Sequence, residues 1–141
     1  MRAFEGEIVM RFVLTALVYL SGLFCLFLGI GFLIDPAGSA AQLAVKPDGV
    51  AGLSTIRADF TGIFLVTGLA MLCGAWRRNG DLLLAPAVFY AVAFTGRAID
   101  LAVNGAYPEY FRPMAVEAFW AVLLLAAWRV LPHHRIEEIA G

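Results

Sequence analysis

Five ionisable side chains lie within otherwise apolar stretches of this chain: Arg57, Asp59, Arg97, Asp100 and Glu117. A charge inside a membrane-spanning helix costs at least about 2.5–3.5 kcal/mol at the centre on insertion scales, so such residues pair with one another or line a wet cavity. Arg97 and Asp100 are three apart and share one helix face. Asp59, two residues from Arg57, points elsewhere. At about 1.5 Å of rise per residue, Arg97 lies roughly 22 Å from Leu82 and Glu117 roughly 20 Å from Val130. Arg57 lies roughly 28 Å from Trp76, and Asp100 roughly 27 Å from Leu82. Equal depth predicts two couples, Arg97 with Glu117 and Arg57 with Asp100. Paired ions that tie helices together near the surface are the first reading, with the long arginines reaching outward. The second is a polar pocket opening outward, in which Arg57, Arg97, Asp100 and Glu117 hold a headgroup, a small anion or a zwitterion.

Other chemistry lacks its residues. The only histidines, His133 and His134, lie in the tail, so no pair of membrane histidines can ligate a haem. With Glu137 they form an incomplete metal set of unspecific spacing. The only lysine, Lys46, lies in a loop, which leaves no buried Schiff-base lysine. No serine–histidine or cysteine–histidine arrangement and no glycine-rich phosphate loop is present. No catalytic residue, metal or cofactor is therefore expected, and an enzyme is the weaker reading. A net charge of −1 offers no basic surface to nucleic acid.

The elements that must position these charges are membrane helices. The chain is 62% hydrophobic and 15% charged, with a mean hydropathy of +0.84, where a soluble domain carries about 25% charged residues. Four stretches are long enough to span, 12–34, 53–76, 82–103 and 113–131, since about 20 mostly apolar residues cross a bilayer core. None alternates apolar and polar residues, which excludes barrel strands. The expectation is an all-α, four-transmembrane-helix bundle forming a single membrane domain over 1–141. The first apolar run is too long for a signal-peptide core, and Glu5 and Glu7 spoil a basic leader, so it is read as a retained span.

Arg77–Asp81 reads as a tight turn. The 35–52 loop is longer, and Ala40–Val45 is a candidate short helix at the interface. Pro113 suits the first turn of the last span. Arg2, Arg11, Arg77, Arg78, Arg129 and Arg135 share one face, opposite Lys46 and Arg112, which places both termini in the cytoplasm. Cys25 and Cys73 fall at different depths, roughly 21 Å and 4–5 Å from that face, too far apart for a disulfide.

Ser21, Cys25 and Gly29 recur every four residues, as do Ala58 with Gly62 and Ala70 with Gly74. Such faces let membrane helices approach closely or meet a partner.

The pattern Arg57-Ala58, Gly62, Gly68, then Gly96-Arg97, Asp100, Gly105, Pro108 and Glu117 resembles a bacterial family of small four-helix membrane proteins catalogued as a domain of unknown function. It is loosely similar to DoxX-like proteins. The resemblance runs from about Gly29 to Arg129 and implies a bacterial inner-membrane protein, with no activity to carry over. The reading that follows is a non-enzymatic accessory or scaffold, or a binder of a lipid or small amphiphile. Membrane lipids, a membrane protein or a second copy are the expected partners. The alternative is a small transporter or channel component that uses the charged cluster as a substrate or proton site.

Overall fold

The computed structural model describes residues 2–133, with side chains from Glu5 onward, and every regular element among them is a helix. Four are long and apolar enough to cross a membrane: α1 (Arg2–Ile34), α3 (Gly49–Trp76), α4 (Asp81–Asn104) and α5 (Phe111–Val130). α1 extends well before the apolar run because its charged start is itself helical. Arg11 reaches back one turn to Glu7 at 2.8 Å, and the Thr15 hydroxyl donates to the Arg11 carbonyl.

The short helix α2 (Pro36–Gln42) lies upstream of the expected Ala40–Val45. Its start is set by Asp35, whose carboxylate accepts from the Gly38 amide at 3.0 Å, and by Pro36 in the first turn. It stops where Ala44 turns to a φ of 58° and the Val45 amide closes on the Ala40 carbonyl. Ala40 therefore lies inside this helix, and Val45 lies beyond its end.

The long helices form a ring in which α1 packs on α3, α3 on α4, α4 on α5 and α5 on α1. α1–α3 and α4–α5 share the larger surfaces. α3 and α4, joined only by the Arg77–Gly80 turn, share a smaller one. α1 and α3 run antiparallel through a glycine crossing. A Cβ on Gly68 would lie 3.0 Å from the Gly22 carbonyl oxygen, and one on Gly22 would lie 3.0 Å from that of Gly68. Neither backbone could approach so closely if either residue carried a side chain.

Two faces result. The turn face carries the start of α1, the Arg77–Gly80 turn and the end of α5; the loop face carries α2 and residues 105–110. The turn is bound to the chain leaving α5, where the Gly80 amide donates to the Pro132 carbonyl at 2.9 Å. His133 Nδ1 lies 2.7 Å from the Asp81 carboxylate, and its ring packs edge-on against Trp128. His134 and Glu137 lie outside the described residues.

The main core joins Val18 and Cys25 of α1, Met71 of α3, Leu83 and Tyr90 of α4, and Trp120 and Leu124 of α5. A second cluster, at the loop face, holds Phe32, Ala40 and Ile56, with Phe60 and Phe64 stacked on Phe32. It fixes the loop-face half of α3 to α1 and α2. Many large apolar side chains face outward, including Phe12, Phe27, Val66 and Val92. On helices of this length, that outward apolar surface is suited to lipid rather than water.

Candidate functional site

The two α3–α4 contacts nearest the turn, Gly74 against Leu83 and Thr67 against Tyr90, set a register between these helices. Continued toward the loop face, it brings Thr61 level with Gly96 and Arg97, and Arg57 level with Asp100. The sequence-derived depths agree with it. What each residue touches differs.

Arg97 and Glu117 meet as expected. Arg97 Nε donates to Glu117 Oε1 at 2.7 Å, linking α4 to α5. The pair is lopsided, the Glu117 side chain 12% exposed and that of Arg97 37%. Glu117 Oε2 is buried and has no hydrogen-bond partner, and the Thr61 hydroxyl is in the same condition on α3. Tyr107, from the loop after α4, also interacts with the Arg97 guanidinium. Half of a buried carboxylate is thus bonded to a cation while its second oxygen, shut off from solvent, has no partner. Buried polar atoms without partners are uncommon and mark sites where water or another group is bound.

Arg57 and Asp100 do not meet. No ion pair joins them among the described residues, and both are exposed. Asp100 instead accepts from its own helix, from Asn104 Nδ2 at 2.6 Å. Matching depth was not enough, because the loop-face halves of α3 and α4 pack on different neighbours. Ile56 and Phe60 hold α3 to α1 and α2, while the Arg97–Glu117 bond holds α4 to α5. Arg57 is left exposed, with no ion-pair partner among the described residues. Asp59, also exposed, has none either.

Nearer the turn face than these charged residues, and lined by none of them, an apolar groove of about 390 Å³ runs between α3 and α4. Gly62, Val66 and Ala70 form one wall, Ala85, Pro86 and Phe89 the other. A Cβ on Gly62 would meet nothing within 4 Å, so the expected Ala58–Gly62 contact face is in fact open. Of the small residues, Ser21, Cys25 and Gly29 do pack inside the bundle, and Gly74 packs on Leu83. A second groove, lined by Leu14, Ala118, Phe119 and Val122 on α1 and α5, has no ionisable side chain along it.

Below the charged pair the four long helices converge on Tyr90. Its hydroxyl lies 3.3 Å from Cys25 Sγ and 3.4 Å from Thr67 Oγ1, and its ring packs on Trp120 with centroids 4.6 Å apart. Tyr90 and Arg97 are two helical turns apart on one face of α4, and Tyr90 also feels the Glu117 charge. Sequence reasoning missed this residue and Thr61. An uncharged Tyr or Thr in an apolar run gives no cost signal of the kind that exposes an Arg. Cys25 and Cys73 are both free thiols. Among the described residues, no group of three His, Cys, Asp or Glu side chains is placed to hold a metal.

The profile of a family described as a domain of unknown function (DUF4345) matches residues 13–128. The chain belongs to the DUF4345 family. That span covers the spacing from Arg57-Ala58 to Glu117 on which the resemblance was read. In this DUF4345 protein it also covers every residue of the charged cluster and the groove. No curated protein and no solved structure matches the chain.

Proposed function

We propose that this DUF4345 protein is a non-enzymatic, multi-pass protein of the bacterial cytoplasmic membrane that binds a lipid or a small amphiphile by its polar end. The polar contacts are Arg57, Arg97 and Glu117 at the loop-face mouth, with Asp100 on the rim, and the apolar part lies in the α3–α4 groove. The carrying observation is the half-satisfied Glu117 carboxylate, one oxygen on Arg97 and the other buried without a partner. Arg57, without an ion-pair partner among the described residues, and the apolar groove between α3 and α4 supply the polar and the oily end of the proposed site.

Orientation rests on charge. Arg11, Arg77, Arg78 and Arg129 are at the turn face, against Lys46 and Arg112 at the loop face, which supports a cytoplasmic turn face and an outward mouth. The transporter reading has less support. Transporter sites sit near the midplane between broken helices, whereas these charges lie toward one face and the spans are continuous.

The test is native mass spectrometry of the protein extracted with its own lipids. The wild type is expected to retain one lipid-sized molecule through extended detergent washing. The Arg57→Gln/Glu117→Gln double variant, still folded by melting temperature, is expected to lose it. Equal retention by both proteins would remove the site.

A further inference from the structure

We propose that the groove between α1 and α5 takes an anionic phospholipid from the leaflet at the turn face, with an acyl chain along the groove and the phosphate on Arg129 and Arg11. This site lies at the opposite end of the bundle from the loop-face charges and does not depend on them.

α1 and α5 share one of the smaller surfaces of the ring, and where they part lies a groove of about 540 Å³. Ala115, Ala118 and Ala126 leave space open between Leu14 and the exposed Phe119 and Val122. From Ala115 to Ala126 the groove follows α5 for about 16 Å, at roughly 1.5 Å per residue. That is close to the depth of one leaflet in a hydrocarbon core of about 30 Å. The same face of α5 continues to Arg129, three residues beyond Ala126 and seven beyond Val122. On α1, which runs the other way, Arg11 lies three residues before Leu14. Each helix therefore carries an arginine one turn past the groove at its turn-face end. Arg129 is exposed and has no ion-pair partner among the described residues. Arg11 gives one nitrogen to Glu7 at 2.8 Å, and its side chain is 47% exposed, which leaves the rest of its guanidinium open to a second acceptor. Glu7 cancels Arg11, so Arg129 sets the sign and this end carries one net positive charge. Glu5 lies six residues from Arg11 and around the helix from it. Asp81 is on α4 and bonded to His133. At the loop-face end, the ionisable residue on the groove's face of α5 is Arg112, and it is paired with Glu109 at 2.9 Å. The groove is thus apolar along its length, neutral at one end and cationic at the other. Guanidinium N–H groups match phosphate oxygens, and basic pockets between spans hold anionic headgroups. A zwitterionic headgroup brings its own cation to the same arginines.

Both arginines are exposed, so this lipid exchanges on extended washing and is measured by adding it back. The measurement is competition between phosphatidylglycerol and phosphatidylcholine of identical acyl chains on the purified protein, read by native mass spectrometry. The wild type should favour phosphatidylglycerol by about fivefold, the scale of one arginine acting on an anionic lipid. Arg129→Gln should bring the two lipids to near-equal occupancy. Arg77→Gln removes an exposed cation of the same face that is on neither helix of the groove, and should keep the preference. Ala115→Leu, at an exposed position in the groove, should weaken both lipids alike and leave their ratio unchanged. Equal binding of the two lipids by the wild type overturns the proposal. So does an equal loss of preference in Arg77→Gln and Arg129→Gln, which would mark diffuse charge rather than a site. Unchanged binding by Ala115→Leu would remove the groove from it. A dimer that Ala115→Leu dissociates, with no lipid preference, assigns the groove to a second copy and overturns it too. The Arg57→Gln/Glu117→Gln protein should show the wild-type preference, so failure here leaves the loop-face reading untouched.

Discussion

The Tyr90 hydroxyl of α4 lies 3.3 Å from the Cys25 thiol of α1, across the diagonal of the helix ring. These helices share no direct packing surface, so the contact is made by a long side chain that fills the centre. Thr67 and Trp120 supply the other two sides. Tyr90→Phe keeps the ring on Trp120 and removes two long, neutral polar contacts. Such bonds average about 0.6 kcal/mol within membranes, so thermal stability in detergent should fall only slightly. Tyr90→Ala empties the centre and should cost about 3–5 kcal/mol. A comparable loss in both variants would mean that the hydroxyl, and not the ring, holds the node.

The α1–α3 crossing depends on absent side chains. Gly68→Ala would place a methyl 3.0 Å from the Gly22 carbonyl oxygen and 3.1 Å from Cys25 Cβ. Both are parts of a helix that must shift bodily to make room. A loss of about 1–3 kcal/mol is expected, measured as melting temperature in detergent. Gly62→Ala, with nothing within 4 Å, is the control and should melt with the wild type.

The charged pair should respond asymmetrically. Arg97→Gln strands a carboxylate only 12% exposed, whereas Glu117→Gln leaves an arginine 37% exposed whose stem can carry its head toward water. Breaking a fully buried pair costs about 3–5 kcal/mol. Arg97→Gln should approach the lower end of that range and Glu117→Gln should stay near 1 kcal/mol, closer to a surface pair. The double variant should recover most of the Arg97→Gln loss. Equal losses from the two single changes would contradict the burial difference.

Topology is testable with introduced cysteines in a Cys73→Ala background, since Cys25 is buried. Gly80 is unsuitable, because a Cβ there would lie 2.8 Å from the Trp128 carbonyl oxygen. Arg77 and Asp48 are both exposed. Asp48→Cys should react with an impermeant maleimide added outside intact cells, and Arg77→Cys only after lysis. The reverse pattern would invert the orientation.

The spans were legible because uninterrupted apolar runs leave the backbone no alternative to helix in lipid. Arg97–Glu117 was legible because two opposite charges at one depth on consecutive spans are costly unless joined. The same rule failed for Arg57 and Asp100. Depth gives one coordinate, and which neighbours a helix half leans on is set by Ile56, Phe60 and Phe32, whose role no spacing announces. The glycine crossing was half visible. The stripe through Ser21, Cys25 and Gly29 was read correctly, but Gly22 and Gly68, which touch, lie beside it. On α3, the Ala58–Gly62 repeat has the same signature and opens instead on the groove.

The bond from the Gly80 amide to the Pro132 carbonyl has a consequence for biogenesis. The α3–α4 hairpin is synthesised before α5, so its turn forms without the final acceptor of the Gly80 amide and waits for the chain that follows. Once α5 is in place, residues 131–133 lie as a clasp across the hairpin's turn. A chain interrupted just before Leu131 would possess every span and still lack the fastening that tells a finished bundle from a loose set of hairpins.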